Sequence, residues 1–265
     1  MTTSEYVLGH DDKELARLDQ QAMMLADSTV SLLRLAGVTT GMRVLDLGTG
    51  LGHVARMASD LVGPSGQVTG VDQAESALAV ARSRSDAVTF LAGDVRTFEP
   101  ESPVDAVVCR LVLAYQPDPV EVVRRWMGFL RPGGVLLVME YDMSGCRGIP
   151  HEGLIKDAIG WVDQAFTVVG QSQRLGPDLA GLMDRAGLRD VKSLGCQLYL
   201  RPGDPGGPAM LGGVVRSLLP AIERAGIASA AEVGIDTLQQ RLAEQQKTGN
   251  TIICPPALVG AWGHL

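Results

Sequence analysis

Aromatic residues are scarce in this 265-residue chain, only 4% of it. Core volume must come instead from Ala, Val, Leu and Gly, which suits a buried parallel sheet covered by helices. Cysteine is scarce too: Cys109, Cys146, Cys196 and Cys254 are far apart, with no C-x-x-C pair. Disulfide frameworks and zinc sites both want tighter spacing, so neither a disulfide nor a metal site is expected. Cys109 and Cys254 sit in apolar runs and read as small core residues. No apolar run is long enough for a membrane span. The opening "MTTSEYVLGHDDKE" lacks the basic and apolar regions of a signal peptide, so a cytoplasmic protein is expected. Runs of Lys and Arg are also missing and the net charge is −7, which argues against nucleic acid as a partner. The length suits one large domain, or one domain carrying an insertion.

What is present is an alternation. Residues 13–36 place Leu15, Leu18, Ala22, Leu25, Leu32 and Ala36 at helical spacing, predicting one amphipathic helix that stops at Gly37. Then "RVLDLG" reads as a strand and "HVARMASDLV" as a helix. "QVTGVD" is a strand, "AESALAVARSRS" a helix, and "AVTFLAGD" and "VDAVVCRLV" are strands. "DPVEVVRRWMGFL" is a helix, "RPGG" a turn, and "GVLLVMEYD" a strand. Apolar strands alternating with helices imply right-handed β-α-β units and a doubly wound, mostly parallel α/β sheet. Beyond residue 150 the reading gives a helix over 151–170, a second in "DLAGLMDRAGL", and a strand in "DVKSLGCQLYL". A break at 203–208 follows, then a helix marked by Met210, Val214, Leu218 and Ile222, another over 229–246, and a last short strand in "NTIICPP".

The first strand runs into Gly48, Gly50 and Gly52, three glycines at alternate positions. Open parallel sheets bind ligands beyond the carboxyl ends of their strands, and a glycine turn there lets a ligand touch backbone. A dinucleotide would need G-x-G-x-x-G, and the third position of that pattern falls on His53. A nicotinamide dehydrogenase is therefore the weakest reading. Asp46, just before the loop, suits a ligand carrying a cationic amino group better than a diphosphate. Asp72 ends the second strand, where a carboxylate can accept both hydroxyls of a ribose. Asp94 follows the third strand, within reach of an adenine amino group, and Arg110 ends the fourth.

In this order the motifs resemble those of the class I S-adenosylmethionine-dependent methyltransferases. "VLDLGTGLG", "VTGVD", "FLAGDV", "VDAVVCRLVLAY" and "FLRPGGVLLVME" are similar to that family's successive motifs across residues 40–142. The N-terminal "YVLGHDDKELARLDQQA" is similar to the leading helix of the ubiquinone/menaquinone-methylase-like group, which implies that Tyr6 and Gln21 reach the cofactor. The resemblance implies a strand order 3-2-1-4-5-7-6 with the seventh strand antiparallel, "DVKSLGCQLYL" sixth and "NTIICPP" seventh. The helical insertion that the sequence places between those two departs from the family's minimal fold, where they form a close hairpin. It implies one domain over 1–265, with a helical cap over 1–37, a cofactor-binding core over 40–142, and a substrate cap with C-terminal strands over 143–265. S-adenosyl-L-methionine is the implied cofactor, held by Tyr6, Gln21, Asp46, Gly48, Thr49, Gly50, Gly52, Asp72, Gln73, Gly93, Asp94, Val95 and Arg110.

The implied reaction is methyl transfer to a small, partly hydrophobic metabolite, in the setting of bacterial secondary metabolism. The alternative on the same cofactor is a cyclisation or rearrangement, whose product gains no methyl group. A non-catalytic scaffold is disfavoured by acids at three strand ends. His151 is the candidate base, or else a helix-start residue. His53 either touches ligand or packs locally, and His10 lies in the N-terminal cap. One of Glu140, Tyr141 and Asp142 is expected to face the acceptor, with Met143, Trp161, Phe166 and Met210 as available linings. Segments 1–36 and 207–246 pack on their own protomer or swap between two, which leaves a homodimer open.

Overall fold

A computed structural model describes residues 12–170 and 174–265. In chain order its elements are α1 (Asp12–Met24), α2 (Ala26–Leu35), β1 (Arg43–Leu47), α3 (His53–Val62), β2 (Gln67–Asp72), α4 (Glu75–Arg84), β3 (Thr89–Ala92), β4 (Val104–Arg110), α5 (Pro119–Met127) and β5 (Leu130–Asp142). Then come β6 (Arg147–Ile149), α6 (Gly153–Val168), α7 (Leu175–Ala186), β7 (Arg189–Cys196), α8 (Gly206–Arg224), α9 (Ala230–Val233), α10 (Ile235–Thr248), β8 (Ile252–Cys254) and β9 (Ala257–His264). Two short 3-10 turns cover Leu113–Tyr115 and Met143–Gly145.

The chain forms two compact units, and their bounds do not follow the sequence divisions into cap, core and tail. The first unit comprises Leu25–Glu140, Gly176–Gly195 and Val259–Leu265. It holds a seven-stranded sheet in the order β3-β2-β1-β4-β5-β9-β7. The pairs β1–β2, β1–β4, β2–β3 and β4–β5 are parallel, as the alternation requires. β4 is buried from Val104 to Cys109 and β5 from Val135 to Glu140, so both faces of the middle strands are covered. Such strands read as continuous apolar runs because neither face meets water. Trp126 of α5 is fully buried, and its indole N–H donates to the Val95 carbonyl at 2.9 Å.

The second unit comprises the described part of Met1–Met24, together with Tyr141–Leu175 and Cys196–Leu258. Its core joins α6, α8 and α10 through Ile155, Val162, Leu211, Val215, Leu218 and Leu242. A two-stranded antiparallel sheet pairs β6 with β8, Gly148 opposite Ile253. Among the described residues no helix is long and apolar enough to cross a membrane.

The expected strand order holds, but several elements differ from the sequence reading. "NTIICPP" is not the seventh strand of the main sheet: Ile252–Cys254 forms β8 in the small sheet. Pro255 and Pro256 lack ladder donors and end it. The strand between β5 and β7 is β9, "ALVGAWGH", which its interrupting glycines mask in the sequence. Gly260 serves close packing, since a Cβ there would come within 2.6 Å of Leu32 on α2. The predicted helix over 13–36 is two helices broken at Leu25, one in each unit. At the break the Leu25 carbonyl accepts both the Thr29 N–H (2.8 Å) and the Thr29 hydroxyl (2.7 Å), a back-bond that bends helices. The helix over 229–246 is likewise divided, at Gly234 with φ 52°. "RPGG" is no chain reversal. β5 runs through it, with a register jump from Val104 opposite Leu130 to Ala106 opposite Val135. Turn-forming residues are equally at home in such a bulge.

Candidate active site

The parallel registers set Leu47 opposite Val71 and Cys109, and Asp72 opposite Ala92. The carboxyl ends of β1, β2, β3 and β4 therefore share one sheet edge, and it gathers Asp46, Gly48, Thr49, Gly50, Gly52, Asp72, Gln73, Gly93, Asp94, Val95 and Arg110. Tyr6 and His10 lie outside the described residues.

The glycine loop is stapled to β2. Gly48 and Thr49 donate their N–H groups to the Val71 carbonyl at 2.8 and 2.9 Å. Asp72 accepts the Gly50 N–H on one oxygen (2.8 Å) and the Ala74 N–H on the other (2.9 Å). Gly48, Gly50 and Gly52 all have positive φ, of 74°, 52° and 75°. Their surroundings separate them. A Cβ on Gly48 would overlap the Val112 side chain, and one on Gly52 would lie 2.7 Å from the Phe90 ring. A Cβ on Gly50 would meet nothing within 4 Å. Two of the glycines let neighbours pack, and the third leaves bare backbone beside the Asp72 carboxylate.

Asp46 is 1% exposed and accepts the Thr49 hydroxyl at 2.7 Å. Burial pushes its carboxyl up from 3.8 to about 6, against the Thr49 bond and the positive charge of Arg110. Arg110 donates to the Thr29 hydroxyl of α2 at 2.9 Å. Burial also pushes Glu140, at 2% exposure, up from 4.5 to about 7. Between them, burial and then the charges of Glu140 and Asp46 push the Cys109 thiol well up, so it stays a neutral core residue.

Other expected residues have local partners. Asp94 accepts the Arg96 N–H at 2.9 Å and its Nε at 3.0 Å, and the bond from the Arg96 side chain holds its pKa down. Val95 is buried with its carbonyl taken by Trp126, Gly93 donates to the Asp72 carbonyl at 2.9 Å, and Gln73 is exposed. His53 starts α3 with Nδ1 3.0 Å from Arg56 Nη2. Gln21 and His151 belong to the other unit. Gln21 donates to the Tyr141 hydroxyl at 2.7 Å, while His151 is exposed and its Nδ1 accepts from Gly148 at 3.4 Å. Asp142 caps the turn after β5, accepting from Ser144 N at 3.0 Å. The sequence reading missed Thr29 and Val112, which carry no chemical signal of their own.

A family description reading "Methyltransferase domain" matches residues 39–166, which spans the whole strand-end constellation. A relative from Pseudomonas entomophila, a ubiquinone/menaquinone biosynthesis C-methyltransferase UbiE, is 36% identical over 181 residues, 60% of this chain and 70% of its own. This chain belongs to the class I S-adenosylmethionine-dependent methyltransferases. A second relative of this methyltransferase, the same-named protein of Saccharophagus degradans, is 29% identical over 182 residues, 60% of this chain and 72% of its own. The fold is shared with Haemonchus contortus phosphoethanolamine N-methyltransferase 2, solved with phosphomonomethylethanolamine and S-adenosylhomocysteine. That likeness has a TM-score of 0.53 at 20% identity and covers 90% of this chain and 52% of the other.

The methyltransferase's strand ends fit the cofactor. The open backbone at Gly50, with the Asp72 carboxylate beside it, is compatible with a ligand lying along the loop, whereas Asp46 is buried behind it and tied to Thr49. S-adenosylmethionine supplies a methyl group already activated by its sulfonium, so the chain's task is to align and desolvate.

The two buried carboxyls make stability depend on pH. Both have folded-state pKa values above their ordinary ones, so their contribution is fully present below about 4 and is lost as pH rises through about 6 for Asp46 and about 7 for Glu140. Asp46→Asn and Glu140→Gln remove the ionisation. Each variant should gain on the wild type as pH rises from 4 to 8, by roughly 3 kcal/mol in urea unfolding at each pH. Parallel pH profiles of variant and wild type would refute these assignments.

Proposed function

We propose that this enzyme methylates a ring carbon of a small, partly hydrophobic acceptor. The observation that carries this reading is the helical unit, whose α6 and α8 present half-buried Trp161, Phe166 and Met210 beside an apolar core, with Met143 just before β6. Half-buried apolar side chains of this kind suit contact with an apolar metabolite that has a few polar groups. The net charge of −7 adds no attraction for a polyanion. The names of the relatives, C-methyltransferases of quinone biosynthesis, favour an electron-rich carbon over oxygen or nitrogen. They draw the setting towards quinone metabolism and away from the secondary-metabolic tailoring read from the sequence. A phenolate-activated ring carbon is itself a sufficient nucleophile, which asks less of a protein base than an alcohol does. His151, exposed and in the helical unit, remains the proposed base where one is used.

The test is incubation with S-adenosylmethionine and a panel of alkylated dihydroxybenzenes and naphthols, simple phenols, primary amines and thiols. Mass spectrometry and carbon NMR of the products read the outcome. The expected product is heavier by one methylene and carries a new carbon–methyl bond, formed with S-adenosylhomocysteine. Methylation confined to oxygen, nitrogen or sulfur overturns the carbon assignment. A product of unchanged mass points to the cyclisation or rearrangement reading.

A further inference from the structure

β5 is wholly apolar from Val135 to Met139 and then buries a carboxylate, Glu140. An unpartnered acid in that position would be strongly disfavoured. Its partners explain it. β4 leaves the sheet after Arg110, and Leu111, whose N–H still donates to the Met139 carbonyl at 2.9 Å, takes a left-handed φ of 60°. That bend throws the chain into the 3-10 turn Leu113–Tyr115, whose first N–H groups have no partner within the turn. Val112, at the capping position, has no side-chain acceptor to offer. Glu140 supplies it from another strand: its Oε1 accepts the N–H of Leu113 at 2.7 Å and of Ala114 at 3.2 Å.

The turn held in this way forms one wall of the glycine loop. Val112 packs on Gly48 so closely that a Cβ there would overlap it. On the far side of Leu111, Arg110 is tied to Thr29. We propose that Glu140 is a positioning residue for the cofactor, acting through the Val112–Ala114 backbone to press Val112 against Gly48 and hold the glycine loop in its binding shape. Glu140 itself is too buried to touch the ligand. What matters in this role is an acceptor oxygen in the right place, not the negative charge.

Calorimetric titration of S-adenosylhomocysteine into the whole protein tests this, beside hydrogen exchange at the Leu113 and Ala114 amides. Glu140→Ala should weaken binding roughly tenfold or more, the scale expected for losing two hydrogen bonds that hold the turn, and should speed exchange at those two amides. Glu140→Gln keeps an acceptor oxygen and should stay within about threefold of the wild type, with slow exchange retained. A folded Glu140→Ala protein that binds as tightly as the wild type overturns the proposal. So does a folded Glu140→Gln protein that binds as weakly as the Ala variant. Should Glu140→Ala fail to fold, Val112→Ala carries the test: it keeps both Glu140 bonds but removes the contact on Gly48. Weaker binding by Val112→Ala then supports the proposal, and unchanged binding overturns it.

Discussion

Asp72→Ala is expected to bind S-adenosylhomocysteine roughly 100-fold less tightly than the wild type, and this follows from two losses in one side chain. The carboxylate staples the glycine loop by accepting the Gly50 and Ala74 N–H groups at 2.8 and 2.9 Å. Charge-assisted bonds of that kind contribute about 1.5–3 kcal/mol each. It also stands at the tip of β2, where an acid can receive ribose hydroxyls. Asp72→Asn separates the two roles. The amide retains one acceptor, so the loop keeps part of its staple, but it cannot serve two backbone donors and two hydroxyls together. Affinity should fall in the order wild type, Asn, Ala. Unchanged affinity in the Ala variant would remove Asp72 from the site. Titration with NAD in parallel should show no binding, because His53 occupies the third-glycine position of the dinucleotide pattern.

The three loop glycines should respond in opposite ways to the same added methyl group. Gly52→Ala forces a left-handed alanine, costing about 1–2 kcal/mol, and drives a Cβ to 2.7 Å from the Phe90 ring. Overpacking of that kind adds about 1–3 kcal/mol. Together they should lower the Tm by on the order of 10 °C. Gly50→Ala meets nothing within 4 Å and pays only for its φ, so its Tm should fall by a few degrees at about 2–4 °C per kcal/mol. If the cofactor lies against this bare backbone, the new methyl group obstructs it and S-adenosylhomocysteine affinity should drop at least roughly tenfold. Gly48→Ala, against Val112, should combine both defects. Differential scanning calorimetry with and without ligand reads both quantities. If Gly50→Ala binds normally while Gly52→Ala stays stable, the division of the loop into packing and ligand-facing glycines is wrong.

The parallel half of the sheet was legible because its strands are buried on both faces and leave unbroken apolar runs, from "RVLDL" to "VLLVM". The acids at the tips of β1 and β2 were legible for a related reason: a charged residue ending such a run is conspicuous. Legibility failed where one residue does two jobs. Thr29 looks like any polar helix residue, yet its hydroxyl donates to Leu25 and accepts from Arg110, which both breaks the N-terminal helix and anchors the end of β4. The hydrophobic stripe continues in phase across that break, so periodicity cannot reveal it. β9 was hidden because Gly260 and Gly263, needed for close approach, resemble loop residues. Asp94 shows another limit of the sequence. A strand-end acid was visible, but its engagement with Arg96 depends on a side-chain direction that spacing does not encode. Glu140 was noticed as one of three acceptor-facing candidates, but its actual partners, Leu113 and Ala114, come from a turn that no pattern announces.

The sheet order β5-β9-β7 has a consequence for synthesis. A ribosome delivers β7 before α8, α9, α10 and β8, and only then the strand that joins β7 to the rest of the sheet. Throughout that interval β7 has no place to dock, while β3, β2, β1, β4 and β5 can already pair in a native order. The nascent chain therefore carries an assembled five-stranded part of the sheet with an open edge at β5, a template for mispairing with other chains. The helices made in the interval are the ones that must bury their own apolar faces before β9 arrives.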